Sequence, residues 1–218
     1  MRSTISMKLS VFAAVGLLGA CGGSTAKLVD TTMNQTGDKS SAQKYPTGPF
    51  GYAQGSIIEN ISFLGKVDPA GASGTGNYSS LALQTVSLGD FYNDATVKFV
   101  MMSGVAGWCG PCNQEQSQVP AAQKTYEPMG VKFFEAMIQG YDESTGIPAT
   151  EADLDKWQQL HKLHVGIGMD PEDKIHAYAD IAAFPLNMVV RTSDMKIVFM
   201  QTGEVDVATI LADVVSAP

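Results

Sequence analysis

Val97-Lys98-Phe99-Val100-Met101-Met102 leads through Ser103-Gly104-Val105-Ala106-Gly107 into Trp108-Cys109-Gly110-Pro111-Cys112. The first six residues form an apolar run of strand length. Beyond the second cysteine, the stretch from Cys112 to Lys124 carries no Gly and a single Pro, which allows a helix. A strand feeding a helix through a Cys-x-x-Cys turn is the setting in which this motif reads as redox-active. Two thiols at this spacing can close a small disulfide and reopen it.

The chemistry follows from the thiolate. An ordinary cysteine titrates near ~8.5 and is mostly protonated at neutral pH. A helix N-terminus carries roughly half a positive charge and several free N–H groups. Both stabilise a sulfur anion, so Cys109 is expected to have a depressed pKa and to be the attacking thiol. Cys112, one turn further in, is expected to be less exposed and to resolve a mixed disulfide by attacking Cys109. Pro111 limits backbone freedom between the sulfurs and fits a first helical turn. Gly110 leaves the approach open to another protein's disulfide. Trp108 flanks the pair, as contact surface or as packing. Two other readings use the same residues. A structural disulfide closing so short a loop gives little chain-entropy stabilisation. A zinc site needs roughly four ligands, and there is no second Cys-x-x-Cys to supply them. The three histidines would have to be brought close by the fold.

The 218 residues are 44% hydrophobic and 17% charged, enough for one globular domain with a real core plus extra segments. A net charge of −8 without a basic stripe argues against nucleic-acid binding. The N-terminus reads separately. Arg2 and Lys8 give a positive start, and Leu9 to Leu18 is an apolar core too short to span a bilayer. Leu18-Gly19-Ala20-Cys21 ends it with small residues, as in the lipobox of bacterial lipoproteins, where cleavage falls just before a cysteine that then carries lipid. The alternative is an ordinary cleaved signal that leaves a free cysteine. If Cys21 carries lipid, only Cys109 and Cys112 remain as thiols, and the exported chain cannot mispair with itself. Gly22, in place of Asp after the lipid cysteine, points to the outer membrane. The expected organisation is a signal peptide over 1–20, a flexible lipid-anchored tether over 21–48, rich in Ser, Thr, Gly, Gln and Asn up to about Lys44, and one domain over 49–218.

Within the domain, Tyr45 to Tyr52 is turn-rich and aromatic and is expected to pack its rings on the body. Ile57 to Leu64 predicts a short strand, and Asp68 to Asn77 a surface loop. Leu81-Ala82-Leu83 and Val86-Ser87-Leu88 suggest further extended chain. Val131 to Ile138 predicts a second core strand, and Gly140 to Pro148 a loop. Thr150-Glu151-Ala152-Asp153 starts a helix to about His164, with a capping hydroxyl and first-turn acids. Val165 to Met169 is a third strand, and Asp170 to Asp173 opens a short helix to about Ala179. Met188 to Arg191 and Lys196 to Gln201 form a hairpin through Thr192 to Met195, and Val205 to Val215 is a closing helix. Strands alternating with helices predict an α/β sandwich.

The chain now resembles the thioredoxin superfamily, and within it the membrane-anchored, extracytoplasmic branch typified by TlpA and ResA, over roughly 50–217. Three pieces carry the resemblance: the Gly104 to Cys112 stretch after its strand, Met169-Asp170-Pro171 with Tyr178 beyond, and Phe184-Pro185-Leu186-Asn187-Met188-Val189-Val190 before the hairpin with Asp194 and Lys196. The resemblance implies a three-layer sandwich with a central mixed sheet, helices on both faces and an N-terminal strand extension. It also implies a cis bond before Pro185, lying against the active-site disulfide and shaping a substrate groove with Trp108, Gly110, Pro111 and Phe184. An X–Pro bond has only a small trans preference, so packing can fix the cis form. The backbone before it could then pair with an extended substrate segment by strand addition. The alternative for Pro185 is an ordinary strand-edge proline.

One departure is informative. Thioredoxins bury an Asp six residues before the first cysteine; here Ser103 stands there, and a hydroxyl is a much weaker base. The TlpA/ResA-like branch often carries a Glu three residues after the second cysteine. Glu115 sits there, on the face of Cys112, and is the expected proton carrier through a raised pKa, its alternative being a solvated surface acid. His161 and His164 could share a helix face, but a metal would need more ligands. Gly107 and Trp108 do not supply the Pro-and-Thr setting of a peroxiredoxin cysteine. Trp157 and Trp108 read as packing, and no Gly-rich phosphate loop is present. The resemblance thus implies an extracytoplasmic thiol–disulfide oxidoreductase with catalytic Cys109, Cys112, Pro185 and Glu115. It implies no metal, nucleotide or flavin cofactor. The partners would be protein dithiols and disulfides, an upstream membrane redox protein, and the membrane through lipid on Cys21. The rival classes are a non-catalytic interaction module of the same fold and a thiol peroxidase.

Overall fold

The computed structural model describes residues 44–217 apart from 69, 75–76, 143–145 and 179–182, and Ala42–Pro218 form one compact unit. The signal segment, Cys21 and the tether up to residue 43 lie outside the described residues. Among the described residues seven strands and four α-helices follow in the order β1 Ser62–Lys66, β2 Gln84–Ser87, β3 Phe99–Ala106, α1 Gly110–Glu115, α2 Val119–Tyr126, β4 Val131–Gln139, α3 Glu151–His161, β5 Gly166–Met169, β6 Leu186–Arg191, β7 Lys196–Thr202 and α4 Val207–Ser216.

The strands form one mixed sheet in the order β2-β1-β5-β4-β3-β6-β7. β3, β4 and β5 run parallel, and the flanking pairs are antiparallel. The parallel centre dictates the composition: a strand covered on both faces reads as nearly continuous apolar sequence, as β3 and β4 do. The pleat then divides their side chains. Met101, Val105, Phe133, Met137, Ile167 and Val189 join one apolar layer with Val119 and Ala122 of α2, Leu154 and Trp157 of α3, and Val207 and Leu211 of α4. Val100, Met102, Phe134, Ala136, Met188 and Val190 face the opposite layer. There the cover is Ile58 and Ile61 of the N-terminal segment, Leu88 of a 3-10 turn and Ile175 and Tyr178 of a second one, Lys174–Tyr178. Among the described residues the four α-helices lie on one side of the parallel centre or lead onto it, and 3-10 helices with the N-terminal segment cover the other side.

Local chemistry sets the ends. The Thr150 backbone N–H donates to Asp153 Oδ2 (2.9 Å), capping α3, and Lys162 at left-handed φ 55° closes it. Asp206 Oδ1 accepts the Thr209 N–H (2.9 Å) at the start of α4. Tyr45 already belongs to the body, donating its hydroxyl to the Ile58 carbonyl (2.8 Å) and packing on Tyr92.

Several expected boundaries move. The single helix predicted over Cys112–Lys124 is two, α1 and α2, because Pro120 has no N–H and its ring excludes the carbonyl four residues back. The strand predicted over Ile57–Leu64 starts at Ser62, since Ile57 makes only isolated bridges to Phe50 and Lys196. Extended chain near Leu81–Leu88 narrows to Gln84–Ser87. α3 stops at His161 rather than His164, and the segment after Asp170 is a 3-10 turn, held by Asp170 accepting the Lys174 and Ile175 N–H groups.

Burial along α3 makes a paired prediction. Leu154 is 0% exposed and Leu160 is 58% exposed. Leu154→Ala is expected to lower unfolding free energy by ~2–5 kcal/mol and Leu160→Ala to change it by less than ~0.5 kcal/mol, measured by urea denaturation.

Candidate active site

β3 carries the chain to Gly107, where a close approach fixes the residue type: a Cβ there would lie 2.8 Å from the Gly140 carbonyl oxygen. Trp108 follows, its indole N–H donating to Gln139 Oε1 (2.8 Å). Cys109 then occupies the N-cap of α1 and Cys112 its first turn, and the two form a disulfide with Cα atoms 5.2 Å apart. The Cys112 N–H donates to Cys109 Sγ (3.1 Å), so an orphan helix donor is aimed at the outer sulfur. α1 has only six residues, so this direct N–H is a more specific stabiliser of negative charge there than a long helix dipole. Asn113 Nδ2 donates to the Cys109 carbonyl (2.8 Å) and pins the turn.

Both cysteines are buried, Cys109 at 3% and Cys112 at 0% exposure. Gly110 and Pro111 beside them are exposed, and a Cβ on Gly110 would meet nothing within 4 Å. The Phe184–Pro185 peptide is cis, and the Phe184 ring meets Trp108 edge-on at 5.9 Å. Pro185 is buried and its carbonyl accepts the Gly203 N–H (2.8 Å), which ties this segment to the end of β7.

Glu115 is not a solvated acid. It is 0% exposed, and its Oε2 accepts both Asn187 Nδ2 and the Val205 N–H at 2.8 Å. Its Oε1 has no hydrogen-bond partner among the described residues. Burial pushes its pKa up to about 7, although the bonds from Val205 and Asn187 pull the other way; the Glu204 charge adds to the rise. Asn187 Oδ1 in turn accepts the Ser103 hydroxyl (2.8 Å), so Ser103 joins this network as a donor.

A second buried acid was not anticipated. Glu135 of β4 is 3% exposed, with Oε2 accepting the Trp157 indole N–H at 2.6 Å. Burial pushes its pKa up to about 8, against the Trp157 bond, and the Glu115 charge adds to the rise. The signal was available: a lone acid in the middle of the otherwise apolar run Phe133 to Ile138.

His161 and His164 do not come together. His161 Nε2 lies 3.1 Å from Asn113 Oδ1, while His164 Nδ1 is 2.9 Å from Asp68 Oδ2 and its Nε2 3.4 Å from the Tyr78 hydroxyl. Among the described residues no group of three or more His, Cys, Asp or Glu could hold a metal. A groove of about 710 Å³ is lined by Phe99, Arg191, Phe199 and Val214, at the start of β3 and the C-terminal end of α4. It therefore opens at the other end of the strand that leads to the cysteines.

No protein-family model and no curated protein matches this sequence. Solved structures do resemble it. The thioredoxin domain of a thiol-disulfide oxidoreductase from Bacteroides vulgatus is 19% identical with a TM-score of 0.54, covering 76% of this chain and 100% of that one. A DsbF homologue from Corynebacterium diphtheriae is 16% identical with a TM-score of 0.52, covering 79% and 96%. A reduced 2-Cys peroxiredoxin from Plasmodium vivax is 10% identical with a TM-score of 0.55, covering 75% and 94%. At these identities the likeness shows the fold, which is thioredoxin-like.

The two raised carboxyls make stability pH-dependent. Each binds its proton more tightly in the folded chain than in the unfolded one. Their contribution is therefore complete below the ordinary carboxyl range and is lost as pH rises through about 7 for Glu115 and about 8 for Glu135. Unfolding free energy of the oxidised protein is expected to fall by several kcal/mol between the ordinary carboxyl range and about pH 8, and to fall less in Glu115→Gln, measured by denaturant titration at each pH.

Proposed function

We propose that the protein is an exported, lipid-anchored thiol–disulfide oxidoreductase that exchanges electron pairs with protein disulfides and dithiols through Cys109 and Cys112. The observation that carries this reading is the Cys109–Cys112 bond at the start of α1, with exposed Gly110 and Pro111 on one side and buried Glu115 on the other. A disulfide that only braced the chain would close a very short loop and constrain the unfolded state little. It would also have no use for a carboxyl sealed one turn away.

In the reducing direction, Cys109 thiolate attacks one sulfur of a substrate disulfide. A Cys109–substrate bond forms, the substrate S–S bond breaks, and the departing thiolate takes a proton. Cys112 then gives its proton to the Glu115 carboxylate and attacks Cys109. The Cys109–Cys112 bond closes and the second substrate thiolate leaves, taking up a proton in its turn. Two electrons pass from the cysteine pair to the substrate; with a substrate dithiol the same steps run backwards. The Cys112 N–H stabilises charge on Cys109 Sγ, and Glu115, neutral in part near pH 7, can both take and return a proton. Trp108, Gly110, Pro111, Phe184 and cis Pro185 border the groove for an incoming chain, with Pro185 shaping it. No metal, nucleotide or flavin enters these steps.

The address rests on the sequence. The positive, apolar leader ending in Leu18-Gly19-Ala20-Cys21 supports export and lipid on Cys21, and Gly22 favours the outer membrane. Acyl chains contribute roughly 0.8 kcal/mol per buried CH₂, enough to hold the domain on a membrane where an upstream membrane redox protein would restore it. No helix among the described residues is long and apolar enough to cross a membrane.

The reduced protein is expected to reduce insulin disulfides, and Cys109→Ser to lose at least ~10²-fold of that rate. A wild-type rate no greater than that of the variant, or efficient consumption of hydrogen peroxide in its place, overturns the reading. Cys21→Ser is expected to abolish labelling with a fatty-acid analogue and to release the chain from membranes on fractionation.

A further inference from the structure

β6, β3 and β4 lie side by side, and their registers place Asn187 opposite Ser103 and Ser103 opposite Glu135. All three side chains belong to the face that carries Met101, Val105, Phe133, Met137 and Val189, the face on which the cysteines pack. Neighbouring strands are about 4.8 Å apart. Ser103 therefore has a carboxyl next to it, that of Glu135 on the adjacent strand. Hydrogen bonds run from Glu115 on α1 through Asn187 to Ser103, and register sets Glu135, bonded to Trp157 of α3, beside Ser103, so that the four form a polar row across the layer.

The charges around this row are one-sided. Glu115, Cys109 and Cys112 come from α1, Tyr141 from the loop after β4, and His161 from α3, its ring 4.4 Å from the Trp157 ring centre. Burial pushes the Tyr141 hydroxyl up to about 12, with the Asp153 and Glu135 charges adding to it, and burial lowers the His161 pKa. The available cations are engaged elsewhere. Lys66 shares its register row through Ile167, but its ammonium is held by Asp155 (2.6 Å) and Glu151 (2.9 Å). Lys156 lies over the Tyr141 ring at 3.5 Å. An uncompensated apolar layer disfavours several negative charges at once. A Cys112 thiolate, a Glu115 carboxylate and a Glu135 carboxylate cannot easily coexist there.

We propose that Glu135 is a second proton-holding residue of the redox centre, acting through Glu115 and coupled to the state of the Cys109–Cys112 pair. It is a positioning residue: its carboxylate is bonded to Trp157 and its register neighbour on β3 is Ser103, so it acts through the row rather than on the sulfurs. When Cys112 gives up its proton, one carboxyl of the pair accepts it and the other stays neutral, so the layer carries about one negative charge instead of three. When the disulfide re-forms, that proton is released to the leaving substrate thiolate or to solvent. The electron pair moves only between sulfurs. The two carboxyls then titrate as a coupled pair whose midpoints belong to both.

This inference rests on the oxidoreductase reading, and its test separates the two. In the full chain labelled with ¹³C at glutamate carboxyls, the Glu135 signal is followed against pH in the oxidised and in the dithiol form. Its midpoint is expected to move by about one unit between the two forms, and to fall in Glu115→Gln. A Glu135 midpoint independent of both overturns the proposal and leaves a buried structural acid. In parallel, the pH profile of insulin reduction is measured for wild type and Glu135→Gln, which keeps an acceptor for Trp157. Loss of the upper inflection supports the proposal; superimposable profiles overturn it. Should wild type fail to reduce insulin at all, the oxidoreductase reading falls, while the redox dependence of the carboxyl midpoint is still decided by the spectra. The wild-type spectra also stand if Glu135→Gln does not fold.

Discussion

The pleat of three neighbouring strands governs this molecule. β3, β4 and β6 are buried on both faces, so each residue along them must choose one of two apolar layers, and the choice alternates. That alternation sends Met102, Phe134 and Met188 to one side and Met101, Phe133 and Val189 to the other. It also sends Ser103, Glu135 and Asn187 to the second side together. A one-residue slip in any of these strands would move the polar group into the opposite layer, which holds no partner for it among those observed. Register and polar network therefore specify each other.

The same arrangement links the cysteine turn to the rest of the chain. α1 is too short to be a strong element by itself, and its inward residues are Cys112 and Glu115. Glu115 reaches Asn187 of β6 and the Val205 N–H before α4, and Gln118 bonds both the Val205 carbonyl (3.2 Å) and the Val207 N–H (3.1 Å). An acid retained in an apolar layer needs such donors, because an unpaired buried carboxylate is costly. The bonds that make Glu115 tolerable also fasten the cysteine turn to the C-terminal half of the fold. Chemistry and assembly share these atoms.

Much of the site is legible in one dimension because its signals are local. Cys109, Gly110, Pro111 and Cys112 are adjacent, and an apolar strand before them sets their context. Glu115 is one helical turn away, so its placement beside Cys112 needs only the period of a helix. Its burial was not legible, since that depends on β6 and the 203–207 segment some ninety residues later. Glu135 sent a visible signal, an acid inside a strand pattern, yet its meaning required knowing that β4 lies beside β3 and that Trp157 closes over it. The break between α1 and α2 illustrates a weaker rule: one proline in a permissive run ended a helix that composition alone would continue.

By itself, the sequence determined the alternation of strands and helices, the cysteine turn between β3 and α1, the N-terminal cap of α3 and the hairpin of β6 and β7. Each of these depends on residues within a few positions of one another, where backbone geometry and hydrogen-bond reach decide the outcome. The tertiary structure alone decided which carboxyls are buried, which histidines meet no common ligand, and that Glu115, Asn187, Ser103 and Glu135 form one row. Those facts depend on strand order and register, which bring together residues separated by tens of positions. They also depend on desolvation, a property of the surroundings that no single residue carries.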